Sequence, residues 1–453
     1  MPDDPILRAL ANCDPNEPLE PSDPRFVDFD EIRGFALRKR LSRLLDAAAQ
    51  SQHVQYVQVA VAGHRGAGKS TELNRVQADL VESGYCTMRA AVDDILDRED
   101  ISFSDVIRLL LLLLEDFFGH EVASDAHVRD AFQNVNDWFR EVTKSREQVV
   151  ADATEFALSA SLGGNVNAEA SVGVIKLRTD LGKFLGALNA VSKSETKART
   201  EIREAVERYP DQLVSNLNLL LRALRMRFPG RVGKGLVFIL DNVDKYQNAM
   251  VNQAFLRYSS LFHQIEAHIV FTIQAALLHN PPEGSVSDGF NSLELPMLPV
   301  FEERSRTPRP DVVERIRQAV YLRVPRELFG EGDAGVDQFV IRSGGCWRDL
   351  LRLIQAALLG APGEILTRQD RERAQHEVAQ IFHRLIQKPE QLKILARTHQ
   401  SFNVLSDEDT RYLLYHRCLL NYNHVGWYGV HPLMESYSPF RTELAALAPH
   451  VAS

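Results

Sequence analysis

Residues 63–71 read Gly63, His64, Arg65, Gly66, Ala67, Gly68, Lys69, Ser70 and Thr71, the spacing G-x-x-x-x-G-K-[ST]. That spacing suits the holding of a run of phosphates. The glycines let the backbone turn sharply and bring its N–H groups against phosphate oxygens. Lys69 is long enough to reach the β- and γ-phosphates, the Ser70 hydroxyl can ligate Mg²⁺, and Thr71 falls near the α-phosphate. Arg65 either touches phosphate or anchors the loop. An apolar run, residues 56–62, precedes the loop and a helix-forming segment follows it, so the positive end of a helix dipole adds to the cradle.

Residues 235–244, Gly-Leu-Val-Phe-Ile-Leu-Asp-Asn-Val-Asp, supply the complementary acid. An apolar run without alternation is a strand buried on both faces, and parallel sheets bind ligands beyond the carboxyl ends of their strands. Asp241 is therefore expected to share the metal with Ser70. Its neighbour Asn242 cannot act as a base. Asp244 is the nearest acid able to polarise water; capping the next helix is the alternative. A second buried run, residues 268–274, ends near Thr272 and Gln274. Either could sense the γ-phosphate, and Gln274 is preferred because its amide can orient water. Further on, Gly344-Gly345-Cys346-Trp347-Arg348 is a glycine turn with an arginine just inside a new helix. Such an arginine can be aimed at phosphates from a lid, or can simply lie on the surface after a helical break.

The elements that must position these residues follow from the rest of the chain. Its 453 residues imply two to four domains. The net charge of -9 argues against a chiefly nucleic-acid-binding surface. Four separated cysteines, Cys13, Cys86, Cys346 and Cys418, suggest neither a zinc site nor a redox pair, and fit a reduced, cytoplasmic setting. The acidic, proline-rich start does not resemble a signal peptide. The leucine run 109–114 is far shorter than the roughly 20 apolar residues of a membrane span and reads as a buried helix.

Six segments are expected. Residues 1–50 form an N-terminal strap, irregular to about residue 22; Phe26-Val27 and Ile32-Arg33-Gly34 are candidates to hold an adenine ring. Residues 51–118 carry the first half of the core. Residues 119–229 form a mostly helical insertion projecting from it, with helices over 128–143 and 197–227 and a hairpin turning at Gly163-Gly164-Asn165. Residues 230–303 complete the core, with a helix over 253–265, a chain break at Asn280-Pro281-Pro282 and a fifth strand over 293–300. Residues 304–387 form a helical lid. In 388–453 two helices and two short β runs, residues 419–422 and 427–430, are winged-helix-like. The second of those helices opens with Asp407-Glu408-Asp409, which would repel phosphates, so protein contact or intramolecular locking is preferred to DNA binding.

The order of these features (phosphate loop, acid-tipped strand, polar strand end, Gly-Gly-x-x-Arg, winged helix) resembles the AAA+ ATPases, in particular their origin-recognition and archaeal initiator-like branch. That resemblance implies an α/β, three-layer P-loop core with a parallel sheet, ATP and Mg²⁺ as ligands, and Arg348 as a second sensor. The Asp241-x-x-Asp244 form looks more like NACHT, KAP and other signal-transducing STAND ATPases. The loop is also similar to that of bacterial P-loop ATPases of anti-phage conflict systems. The likeness covers roughly residues 23–118 and 230–435. Two departures stand out. No arginine lies between Gln274 and the fifth strand, where AAA+ rings carry a trans-acting finger; Arg257, Arg304 or Arg306 would have to serve. No sensor-repeat array follows the tail. The expectation is an ATP-driven switch controlling a partner protein such as a defence effector, with a DNA-remodelling ATPase and a nucleotide-locked scaffold as alternatives. Homo-oligomer formation stays open.

Overall fold

A computed structural model describes residues 4–51, 55–122, 124–144, 170–172, 175–194, 196–279, 286–423 and 426–447. Its strands are β1 (Gln58–Ala62), β2 (Cys86–Ala91), β3 (Ala170–Val172), β4 (Ile175–Leu177), β5 (Leu236–Asp241), β6 (His268–Ile273), β7 (Asn291–Glu294), β8 (Leu419–Asn423) and β9 (Trp427–Val430). Five of them form a parallel sheet in the order β2-β5-β6-β1-β7. This is the α/β P-loop architecture that the sequence implies. The polar-ended strand β6 lies beside β1 and the acid-ended β5 lies next to β6, so their carboxyl ends are on the side from which the loop leaves β1.

β5 explains the layering. Leu236, Phe238 and Leu240 point into one apolar core, and Val237 and Ile239 point into another. Both faces must therefore be covered, as parallel sheets require. One layer contains the helices Phe103–Val122, Ala126–Thr143, Asp180–Ser194, Thr196–Val206 and Pro210–Arg227. The other contains Leu37–Ala49, the post-loop helix Lys69–Glu82, the lid helices and the tail.

The insertion is thus a layer of the fold, where a projection was expected. The cause is the helix Phe103–Val122, buried on nearly every side: Leu109, Leu110, Leu112 and Leu114 have no exposed surface, and its charged Asp105, Arg108 and Glu115 are buried with them. A helix of that kind needs neighbours all round, and the insertion helices supply those away from the sheet. β3 and β4 pair antiparallel inside what was expected to be one arm of a hairpin; the expected turn at Gly163-Gly164-Asn165 lies outside the described residues, as does Asn280-Pro281-Pro282.

Four other expectations change. The helix expected over 197–227 is two, Thr196–Val206 and Pro210–Arg227, the second opening on its proline. Residues 5–12, expected to be irregular, form the helix Pro5–Asn12. Asp4 accepts the N–H of Ile6 at 2.9 Å and Pro5 occupies the first turn. The fifth strand is the shorter Asn291–Glu294, because Pro296 cannot continue the ladder. The buried chain beyond it turns to the tail, where the Met297 N–H donates to the Asn421 carbonyl at 3.0 Å. The helix expected over 253–265 is broken into Asn248–Ala254, a short 3₁₀ turn and Ser259–Phe262. The break lets Phe255 stack on Phe262 and Phe271, at 5.2 and 4.6 Å between ring centres.

The lid comprises Pro310–Tyr321, Asp333–Arg342, Trp347–Gly360 and Arg368–His383; the tail comprises Pro389–Ser401, Glu408–Tyr415 and the antiparallel pair β8–β9, the element order expected for it. Among the described residues no helix is long and apolar enough to cross a membrane.

Candidate nucleotide site

The loop leaves β1 with the Gly63 N–H bonded to the Ile273 carbonyl at 3.2 Å, and the helix Lys69–Glu82 begins at once. Gly66 and Gly68 have φ of 85° and 95°, conformations that favour glycine. Gly66 is also fixed by proximity: a Cβ there would stand 2.5 Å from the Arg348 Cβ. The start of the lid helix Trp347–Gly360 therefore rests on the loop. It arrives there through the turn at Gly344-Gly345, where a Cβ on Gly345 would overlap the Leu298 carbonyl oxygen at 1.9 Å.

Lys69 is 5 % exposed. Its Nζ donates to the carbonyls of Gly63 and His64 at 2.7 and 3.0 Å and pairs with Asp244 Oδ2 at 3.0 Å. The other Asp244 oxygen accepts the Thr272 hydroxyl at 3.0 Å. Burial works to raise the Asp244 pKa, but the charge and hydrogen bond of Lys69, with Thr272, outweigh it and hold the carboxyl below its ordinary value. Gln274, 1 % exposed, donates from Nε2 to the Asp244 carbonyl at 2.6 Å. Both polar residues at the end of β6 are thus applied to Asp244.

Asp241 receives the Asn242 N–H on Oδ1 at 2.8 Å and the Arg89 guanidinium on Oδ2 at 2.6 Å. Asn242 itself has φ of 64°, and its amide donates to Asp93 at 2.8 Å, a structural position. Ser70 and Asp241 offer a hydroxyl and one carboxylate. Hard oxygen donors in that number fit Mg²⁺, which keeps several waters and takes further oxygens from phosphates. Among the described residues no group of three or more His, Cys, Asp and Glu side chains could hold a metal unaided.

Gly66, Gly68, Lys69, Ser70, Thr71, Arg65, Asp244 and Arg348 line one cavity, roofed by residues 15–18 of the N-terminal strap. Arg348 Nε donates to the Pro15 carbonyl at 3.2 Å, and Thr71 Oγ1 accepts the Leu19 N–H at 3.1 Å. A second cavity adjoins it, sharing Glu17, Gly68, Thr71 and Trp347. Its walls are mainly apolar and aromatic: Phe26, Val27, Phe29, Ala67, Leu298 and Trp347. Arg33 lies in this wall and donates to the Ala67 carbonyl at 2.7 Å; Gly34, with φ of 64°, caps the short helix Asp30–Arg33.

Not every candidate residue lines these cavities: Gly63, His64, Asp241 and Gln274 do not. The His64 side chain, 1 % exposed, points to the tail. Asn421 donates its N–H to His64 Nε2 at 2.9 Å, so Nδ1 carries the proton and donates to the Leu414 carbonyl at 3.2 Å. Burial above all, then the charges of Lys69 and Arg417, push the His64 pKa down to about 3, so the ring is neutral. Arg65 reaches the carbonyls of Asp244 and Lys245 at 3.2 and 2.9 Å and the Tyr415 hydroxyl at 3.0 Å. It ties loop, β5 tip and tail together. Arg306 pairs with Glu435 of the tail at 2.7 Å.

Sequence reasoning missed Arg89, Asp93, Trp347 and Arg323, the last of which lines the second cavity with its guanidinium 5.0 Å from the centre of the Trp347 ring. Arg89 left a signal, a charge inside the β run Cys-Thr-Met-Arg-Ala-Ala. The others left none, because their partners come from distant parts of the chain.

No family model and no curated protein matches the chain. Among solved structures it is similar to the Walker-type ATPase PABY2304 of Pyrococcus abyssi, at 12 % identity and a TM-score of 0.43 over 96 % of this chain and 99 % of that one. It is also similar to Cdc6p from Pyrobaculum aerophilum, at 10 % identity and a TM-score of 0.38, covering 94 % of this chain and 97 % of that one. For the Orc1 protein of Aeropyrum pernix, solved in complex with DNA, the values are 13 %, 0.34, 93 % and 95 %.

Proposed function

We propose that the chain binds ATP with Mg²⁺ and works as a nucleotide-driven switch. The observation that carries this reading is the Lys69 ammonium group, held by two loop carbonyls and Asp244 beside a cavity that opens into an aromatic one. Polyphosphate belongs in the first cavity and the base in the second. Mg²⁺, held by Ser70 and Asp241, would screen the phosphate charge.

The chain's own residues then have defined tasks. Phosphate oxygens arriving at the loop draw Lys69 from Asp244. The freed carboxylate would take the proton of a water attacking the γ-phosphorus in line, as the bond to the β–γ bridging oxygen breaks and ADP leaves. Gln274 and Thr272 hold Asp244 in place for this step, and Arg348 faces the phosphates from the lid. The output is control of a partner protein through movement of lid and tail, with a defence effector as the partner suggested by the sequence resemblance. The helix Glu408–Tyr415 has Asp407 at its N-cap and Glu408 and Asp409 in its first turn, which argues against duplex DNA as the ligand of that face.

A second reading is a nucleotide-locked scaffold with little turnover. It is favoured by Asn242, committed to Asp93, and by Asp244, committed to Lys69. Calorimetry of ATP with Mg²⁺ tests the first claim: the parent binds and Lys69→Ala loses at least about 100-fold in affinity, as expected on removing a charged partner of phosphate. Absence of heat with the intact parent ends the nucleotide reading. Phosphate release that is equally slow in the parent, Asp244→Ala and Lys69→Ala selects the scaffold.

A further inference from the structure

The nucleotide reading leaves Arg89 without a task, yet Arg89 touches both residues assigned to the metal. In the β2–β5 register it stands opposite Ile239, two residues before Asp241, so both side chains leave the face of the sheet that carries the helix Lys69–Glu82. One guanidinium nitrogen donates to Asp241 Oδ2 at 2.6 Å and to the Ser70 carbonyl at 3.2 Å. The Asn242 N–H occupies Oδ1. Both carboxylate oxygens are therefore engaged by the chain itself. The side chains are 15 % and 5 % exposed for Arg89 and Asp241, a depth at which an unpartnered carboxylate is costly.

We propose that Arg89 is an internal counter-ion that competes with the metal for Asp241. It satisfies the carboxylate when the metal is away and gives up Oδ2 when metal and nucleotide arrive together. A cation entering the site must replace a charge-assisted hydrogen bond, so metal capture is weaker than the bare acid would give. It also depends on the phosphate oxygens that complete the coordination. Lys69 and Asp244 form a parallel arrangement for the phosphates: each acid at the tip of β5 is covered by a basic side chain until the ligand of that position displaces it. Arg89 is thus a positioning residue that sets the metal requirement, an assignment that rests on the nucleotide reading.

The test is calorimetric, with the full chain. ATP affinity is measured in excess Mg²⁺ and again with the metal chelated, and the ratio of the two is compared among the parent, Arg89→Ala and Arg89→Lys. Competition predicts that the ratio rises about tenfold in Arg89→Ala, the worth of one charge-assisted hydrogen bond, with Arg89→Lys between. Adding Asp241→Asn to Arg89→Ala removes the gain. An unchanged or smaller ratio in Arg89→Ala overturns the proposal, since Arg89 would then be orienting Asp241 for the metal. If Arg89→Ala does not fold, the lysine variant decides the matter by the sign of its change: a higher ratio supports competition, and an equal or lower one overturns it. A parent that binds no ATP in either condition rejects the nucleotide reading instead.

Discussion

The two faces of the sheet are closed by different chemistry. On the insertion side the contact is apolar: Phe238 and Leu240 of β5 share one core with the leucines of Phe103–Val122 and with the helices beyond. Polar links join insertion and core there too, Asp105 with Arg108 and Arg203, Asp97 with Arg199 and Asn189 with the Ile95 carbonyl, but none of these ends on the phosphate loop. On the lid and tail side an apolar core is also present, but polar joints cross it to the phosphate loop and to the end of β7. His64 bridges to Leu414 and Asn421, Arg65 to Tyr415, and Asn421 to Glu294 at the end of β7. Packed apolar layers are hard to shift by one contact. Hydrogen-bonded joints have a small number of alternatives and can be exchanged. The expectation is that the insertion face holds the sheet and that the lid and tail face responds to the loop.

The strongest way to break that contrast is at Asp349, which has no exposed surface and lies one residue after Arg348. It takes two hydrogen bonds from Arg417, at 3.0 and 3.1 Å, and joins lid to tail. Burial opposes its charge, but Arg417 and His431 hold its pKa well below the ordinary value. Asp349→Ala leaves Arg417 buried without that partner and should cost about 3–5 kcal/mol. Hydrogen exchange should accelerate across residues 389–430 while the insertion helices keep their protection. Acceleration spread evenly over both faces would show that the two are one cooperative unit.

The converse change is Leu111→Ala, in the buried leucine run. Removing such a side chain from a packed core costs about 2–5 kcal/mol. Protection should fall in the insertion, while ATP affinity stays within about twofold of the parent, as for sites without shared partners. A large loss of affinity would mean that the insertion layer also sets the loop.

The same contrast explains what the sequence disclosed. The loop and the tip of β5 were legible because the phosphate and metal chemistry proposed for them narrows the residue types at Gly66, Lys69, Ser70 and Asp241. The turn at Gly344-Gly345 was legible as a turn, but its cause, the Leu298 carbonyl, lies far away in the chain. The sheet followed from apolar runs, and its fifth strand was misjudged because Pro296 sits inside an apolar stretch whose hydrophobicity dominates the pattern. The helix at Pro5–Asn12 was missed although Asp4 and Pro5 form a capping pair, since a short helix among prolines offers little periodicity. The joints on the lid and tail face were invisible. His64 occupies a position of the loop motif open to any residue, so nothing local discloses that its ring is bonded to Leu414 and Asn421.

The smallest expected effect concerns pH at these joints. Glu294, half-buried at the sheet edge against Asn421, has its pKa pushed up to about 7 by loss of solvent, from an ordinary 4.5. The folded state then holds a proton that the unfolded state releases first. This contribution is complete below pH 4.5 and is lost as pH rises through about 7. His64 runs the other way. Its pKa falls from 6.5 to about 3, so the unfolded state binds the proton first, and stability rises with pH between those values. From pH 4.5 to 6.5 the two slopes oppose each other, and their joint contribution in the parent is nearly flat. Glu294→Gln should uncover the rising slope of His64. His64→Gln, whose amide oxygen can still accept the Asn421 N–H, should uncover the falling slope of Glu294. Each slope is at most about 1.4 kcal/mol per pH unit. Urea unfolding at a series of pH values reads both as differences from the parent, in which every other titrating group cancels. Two variants whose curves run parallel to the parent would mean that these joints open to water, and that the lid and tail face is no more responsive than the insertion.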